Sequence, residues 1–174
     1  MRGLGDTDGP VQEGLFAAAE PTAEPVLMAL HAEYYELIWR GEKIHEFRKR
    51  FLKGTPVRWF VYLNAPVSRL AAVIDLGPAV VDVPERIAEI AERTREGNGA
   101  SVLDYVRGLE EAFAIPILAV REYAGLPIAD LREELGGFHP PQGYLRLNHQ
   151  PDLLALAEKM AADPPIRELT VHHR

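Results

Sequence analysis

The chain of 174 residues contains no cysteine. Disulfides and thiolate metal sites are thereby excluded, and a reducing cytoplasm is the expected compartment. Serine is almost as scarce. Ser68 and Ser101 are the whole supply, and neither stands in a G-x-S-x-G elbow, so no serine–histidine triad is expected. No apolar run approaches the roughly 18–20 residues of a membrane span, and no basic segment leads into a long apolar stretch as in a signal peptide. The expectation is a protein without membrane contact. The phosphate cradle G-x-x-x-x-G-K-[ST] is missing. "GLGDTDG", residues 3–9, has glycines at the wrong spacing and no strand before it. The six histidines, His31, His45, His139, His149, His172 and His173, never form H-E-x-x-H, so neither a metal nor a cofactor is expected.

What is present describes an ordinary globular domain. Hydrophobic residues make up 47% and charged residues 26%, and the length is enough for one domain with a real core. The net charge of −7 excludes a generally basic nucleic-acid coat protein. The charge is unevenly spread. Within residues 1–25, Asp6, Asp8, Glu13, Glu20 and Glu24 stand against Arg2 alone. Residues 40–58 instead carry seven basic residues, Arg40, Lys43, Arg48, Lys49, Arg50, Lys53 and Arg58, against Glu42 and Glu46. A local basic patch lies on an acidic protein.

Residues 1–25, rich in Gly, Ala, Pro and acids, read as a flexible acidic extension with a short helical turn around Val11–Ala19. Residues 26–174 read as one domain. "PVLMAL" (25–30) is a first strand, and "HAEYYELIWRG" (31–41) a helix stopped by Gly41. "EKIHEFRKR" is a charged strand whose alternation puts Ile44, Glu46, Arg48 and Arg50 on one face. "LKGTP" is a turn, and "VRWFVYLNAP" (57–66) and "SRLAAVIDLG" (68–77) are strands. Two helices follow, 83–99 and 101–113, the second with Ser101 and Asp104 as a capping signal. Then come a strand at 115–123, a helix at 126–137, an extended "PPQGYLRLN" (140–148), a helix at 151–162 and an edge strand at 167–173. Strands and helices do not alternate strictly, so a doubly wound parallel sheet is not expected. The class is α+β: a small mixed or antiparallel β-barrel with flanking helices.

"LMALHAEYYELIWRGEKIHEFRKR" followed by "VRWFVYLNAPVSRLAAVIDLG" resembles the ASCH family of the PUA-like superfamily. The resemblance is carried by Gly41, Lys43, Glu46, Arg48 and Pro66, in a G-x-K, K-x-x-E-x-R and strand-end proline order. It extends over residues 26–148, with "FAIPILAVREY" and "PPQGYLRL" as the closing part. It implies a PUA-like barrel of five or six strands and a cleft beside the charged strand. Family members are presumed to bind RNA, and a few are reported as ribonucleases or as hydrolases of acylated cytidine. The chain departs from the amide hydrolases where they use threonine on this strand. Glu46 occupies that position, and no hydroxyl side chain lies between Lys43 and Lys53.

The ligand candidates are Lys43, Arg48, Arg50, Trp39 and Tyr144. Lysine and arginine suit phosphate and base edges, and aromatic rings suit base stacking. Tyr34, Tyr35, Trp59 and Tyr62 are further stacking candidates, although the alternation of Trp59, Phe60 and Tyr62 also fits a core strand. Lys43 and Glu46 are the catalytic candidates if the protein is an enzyme, as a ribonuclease or nucleoside-amide hydrolase. Equally, Glu46 can neutralise Arg48 inside the barrel, and His45 can be a half-buried structural residue. Three functions follow in order: binding of single-stranded RNA or a small nucleotide-like ligand, with a regulatory role; hydrolysis of RNA or a modified nucleoside; and protein interaction through the acidic extension or a helix face.

Overall fold

The computed structural model of the protein describes residues 22–173. The Val11–Ala19 turn, and the extension up to residue 21, lie outside the described residues. The chain runs β1 (Glu24–Leu30), α1 (Ala32–Trp39), β2 (His45–Arg48), β3 (Val57–Leu63), β4 (Arg69–Leu76) and β5 (Val80–Asp82). It continues α2 (Pro84–Thr94), α3 (Asn98–Val106), β6 (Ala112–Pro127), α4 (Ile128–Leu135), β7 (Leu145–Arg146), α5 (Pro151–Ala161) and β8 (Arg167–Thr170).

The strands form one mixed sheet in the order β2-β6-β4-β3-β1-β7, with β5 and β8 added along β6. The path of six agrees with the expected five or six strands, and the two short strands on β6 enlarge it. The sheet curls into a half-barrel with helices around it. Among the described residues its one parallel pair is β1 with β3, joined through α1 and β2. Arg48 helps to tie the curl together, its Nη2 donating to the Ala29 carbonyl at the end of β1 at 3.4 Å.

Alternation divides the central strands between two cores. Val26, Met28, Trp59, Val61 and Ile74 pack on one side with Tyr35 and Ile38 of α1. Leu27, Phe60, Tyr62, Leu70 and Val73 pack on the other with Leu131 of α4 and Leu153, Ala157 and Met160 of α5. Burial on both faces explains why β1, β3 and β4 read as nearly continuous apolar runs. A third, smaller core seats the α2–α3 hairpin through Ile87, Ala91, Val102 and Val106 on Ala112 and Ala114 of β6, with Phe47 of β2 against it.

Several expected boundaries are corrected. The second middle helix starts at Asn98, three residues before Ser101, so Ser101 lies inside it and caps nothing. It ends at Val106, and Gly108 follows at φ +83°, the left-handed conformation open to glycine. Ala112 and Phe113, expected at the end of that helix, begin β6, which is 16 residues long. β5 was not expected. The charged strand is shorter than its sequence pattern, four residues from His45 to Arg48, and leaves Lys49 and Arg50 exposed beyond it.

Candidate functional site

A cleft of about 670 Å³ opens where α1, β2 and the α2–α3 hairpin meet at the ends of β1 and β3. Lys43 reaches it because of how α1 stops. Gly41 turns the chain at φ +76°, and the amides of Glu42 and Lys43 both donate to the Leu37 carbonyl, at 2.9 and 3.2 Å. β2 begins two residues later, and its alternation carries Glu46 and Arg48 to the cleft together.

Glu46 is the centre of the arrangement. It is 6% exposed, the one buried charged residue among the described residues. A lone carboxylate at such a site would be strongly disfavoured. Here its Oε1 lies 3.0 Å from Arg48 Nε and its Oε2 3.2 Å from Lys43 Nζ. Both contacts are close in charge but poorly aligned as hydrogen bonds, so Glu46 Oε2 and Arg48 Nε have no hydrogen-bond partner among the described residues. Lys43 also stands over the Phe47 ring, 5.6 Å from its centroid.

Helical spacing supplies the walls. His31, just before α1, and Tyr34 and Leu37 within it, each three residues from the next, line the cleft. Asn98, Ser101, Val102 and Tyr105 line it from one face of α3 at the same kind of spacing. Arg95, at the end of α2, donates to Asn98 Oδ1 at 3.1 Å. Asn64, Pro140, Pro141 and Gln142 complete the rim. Among these lining residues three cations, Lys43, Arg48 and Arg95, face two carboxylates, Glu42 and Glu46.

The structure therefore brings Lys43, Glu46 and Arg48 together and leaves Arg50, Tyr144 and Trp39 elsewhere. Arg50 and Tyr144 line a separate, shallower groove with Lys49, Phe51 and Lys53. The Tyr144 ring packs edge-on against Phe51, 5.5 Å between centroids. Trp39 is half-buried under the Arg167 guanidinium, 4.0 Å from its ring centroid, on the side of α1 that meets β8. Of the stacking candidates, Tyr35, Trp59 and Tyr62 are core residues, each no more than 1% exposed. The Trp59 indole donates to the Met28 carbonyl at 3.0 Å. Burial, and then the hydrogen bond that it donates to Glu122, push the Tyr35 phenol well above its usual range. Tyr34 alone of that group lines the cleft, and it is 43% exposed.

His45 faces away from this arrangement. Its ring lies 5.1 Å from that of His173, whose Nε2 is 2.7 Å from the Ile117 carbonyl. Burial, with the charges of His173 and Lys43, lowers its pKa to about 4.

Residues from α2, α3 and the 140–142 loop were missed as cleft residues. The i, i+3, i+7 spacing of Asn98, Ser101 and Tyr105 was the available signal, hidden because the helix was expected to start only at Ser101. Nothing local in the sequence marks Asn64 or Gln142, which reach the cleft through the fold.

The curled mixed sheet with its flanking helices is an α+β fold of the kind seen in ASCH crystal structures. The particular likenesses are crystal structures of ASCH from Zymomonas mobilis and of two mutant forms of it. ASCH itself superposes with a TM-score of 0.60 at 24% identity, over 76% of this chain and 95% of that one. The mutant forms give 0.63 at 24% and 23% identity, over 78% and 76% of this chain and 98% of theirs. No family model and no curated protein sequence matches the chain.

Proposed function

We propose that this chain is an ASCH-family protein whose cleft binds single-stranded RNA or a small nucleotide-like ligand. The observation that carries the reading is the Lys43–Glu46–Arg48 cluster at the floor of a ligand-sized cleft, with the exposed Tyr34 ring at its edge. The ASCH-type fold and the G-x-K and K-x-x-E-x-R residues of this strand support the family assignment. The volume lies within the roughly 300–1,000 Å³ of small-molecule sites and suits one or two nucleotides better than a duplex. Arginine and lysine meet phosphate oxygens or base edges, and tyrosine offers a stacking face.

The cleft forms on a protein of net charge −7. Long-range attraction to nucleic acid is therefore weak, and local contacts must hold the ligand. A short strand or a free nucleotide fits that condition.

Hydrolysis is the second reading, favoured by the 3.2 Å contact between Lys43 and Glu46 at an open cleft. The absence of a hydroxyl side chain between Lys43 and Lys53 counts against amide hydrolysis through a strand threonine. Calorimetric titration with nucleoside 5′-monophosphates and with a short single-stranded RNA tests the binding reading. Saturable binding of either is expected, and no heat with any of them would contradict it. Chromatography of the same samples tests for products.

A further inference from the structure

We infer that Arg95, on the hairpin wall of the cleft, binds the phosphate of the ligand with Asn98 beside it, and that the charged strand holds other parts of the same ligand. This rests on the nucleotide-binding reading above and states which residues take the anionic group.

Each charge that lines the cleft can be followed to its partner. Glu46 is held between Arg48 at 3.0 Å and Lys43 at 3.2 Å. Arg48 also donates to the Ala29 carbonyl at 3.4 Å, and Lys43 stands over the Phe47 ring. Glu42 pairs at 2.8 Å with Arg40, which does not line the cleft. Arg95 is the remaining lining charge, and it pairs with no carboxylate among the described residues. Its contact is neutral: Nη2 donates to Asn98 Oδ1 at 3.1 Å. The uncompensated positive charge of the cleft therefore sits on the hairpin and not on the strand.

A phosphate brought to the strand would meet the Glu46 carboxylate and compete with it for Lys43 and Arg48. At Arg95 it meets a half-buried guanidinium whose one anchor, to Asn98, leaves its other donors open. With its oxygen engaged, the Asn98 side chain has only amide donors to offer. The turn that carries both residues is fixed. Gly97 takes φ +85°, and the Glu92 carboxylate accepts from the amides of Gly97 and Gly99 at 3.0 and 2.9 Å. A Cβ at position 99 would come within 2.8 Å of that carboxylate. The Asn98 amide donates to the Arg95 carbonyl at 3.0 Å. These three backbone amides are matched within the hairpin, so the anion contact falls to the side chains of Arg95 and Asn98. Donors held in place beforehand lose little freedom when the ligand arrives. Tyr34, exposed on α1, is left for the base.

Calorimetric titration of each nucleoside 5′-monophosphate and of its nucleoside into wild type, Arg95→Gln and Arg95→Lys tests the assignment. The best-bound monophosphate should bind wild type at least about tenfold more tightly than its nucleoside, the scale of hydrogen bonds to a charged group. Arg95→Gln should cut that ratio to about twofold and leave the nucleoside affinity unchanged, because only the phosphate contact is lost. Arg95→Lys keeps the charge without the fork and should give an intermediate ratio, with circular dichroism confirming that both variants are folded. On a short single-stranded RNA, Arg95→Gln should lower the slope of log affinity against log salt by about 0.7, the share of one phosphate. Equal wild-type binding of nucleoside and monophosphate, a ratio that survives in Arg95→Gln, or an unchanged salt slope would overturn the assignment while leaving nucleotide binding intact. Failure of every monophosphate and of the RNA to bind would count against the nucleotide reading itself and remove this inference with it.

Discussion

Arg48 and Arg50 are two residues apart, of the same type, and on the same face of an ideal extended strand. The structure separates them. Arg48 lies in the cleft against Glu46, and Arg50 lies beyond the end of β2 in another groove. Arg48→Ala should therefore weaken ligand binding at least tenfold, roughly the 1.5–3 kcal/mol of a hydrogen bond to a charged group. Arg50→Ala should leave it within about twofold, the scale of an exposed charge. Parallel titrations of the two variants check both. Sequence pattern made these residues equivalent, because alternation says nothing about where a strand stops. His45 supports a second prediction. Its pKa is lowered from 6.5 to about 4, so between those values the unfolded chain binds the proton more readily than the folded one. Stability attributable to this ring is full above about pH 6.5 and falls as the pH drops toward 4. The loss should reach ~1–2 kcal/mol after discounting for the ring's partial exposure. Denaturant melts of the wild type and His45→Gln across that range should show a shallower pH dependence in the variant. An equal slope would remove His45 from the account.

Among the elements, the long strand β6 organises the rest, pairing with β2, β4, β5 and β8. Its register with β4 shifts between Leu70 and Ala72, opposite Leu126 and Glu122. Gly125 takes up that irregularity at φ +81°, and a Cβ there would run into the Leu70 carbonyl. Gly125→Ala should cost at least ~2 kcal/mol, from the left-handed backbone and the clash together, measured by chemical denaturation. An unchanged midpoint would mean that the strand relaxes freely at this point. Strands buried on both faces were legible, since "VLMAL", "VRWFVYL" and "RLAAVIDL" leave little else for those residues to do. The helices α1 and α5 were legible from their spacing and stops. The start of α3 was not, because Gly97, Asn98 and Gly99 are poor helix formers and tertiary packing on Ala112 and Ala114 decides the matter. The start of β6 was missed for a related reason. "EEAFA" continues a helical pattern in sequence, while Gly108 breaks the chain ahead of it. β5, three residues long, is too short to show a period and exists because β6 offers it an edge.

For the whole molecule, the opposition between a net charge of −7 and a cleft with three cations sets the expected behaviour. If all three cations meet phosphate, single-strand binding should weaken roughly ten- to twentyfold between 50 and 200 mM salt. If Arg48 stays paired with Glu46, fewer phosphates are contacted and the dependence should be shallower. A salt series on a short single-stranded RNA measures the slope. Of the candidates on and beside the charged strand, Lys43, Glu46 and Arg48 are the ones that the structure gathers at the cleft. The opposite wall is assembled from residues some fifty positions away, and only the curl of the sheet and the seating of the hairpin bring Arg95, Asn98 and Tyr105 across from them. The most direct test of the central claim is the anisotropy of a labelled short single-stranded RNA, titrated with wild type and Arg48→Ala at low and physiological salt. The account predicts saturable wild-type binding that weakens with salt and falls at least tenfold in the variant. No binding at either salt, or binding indifferent to Arg48, would contradict it.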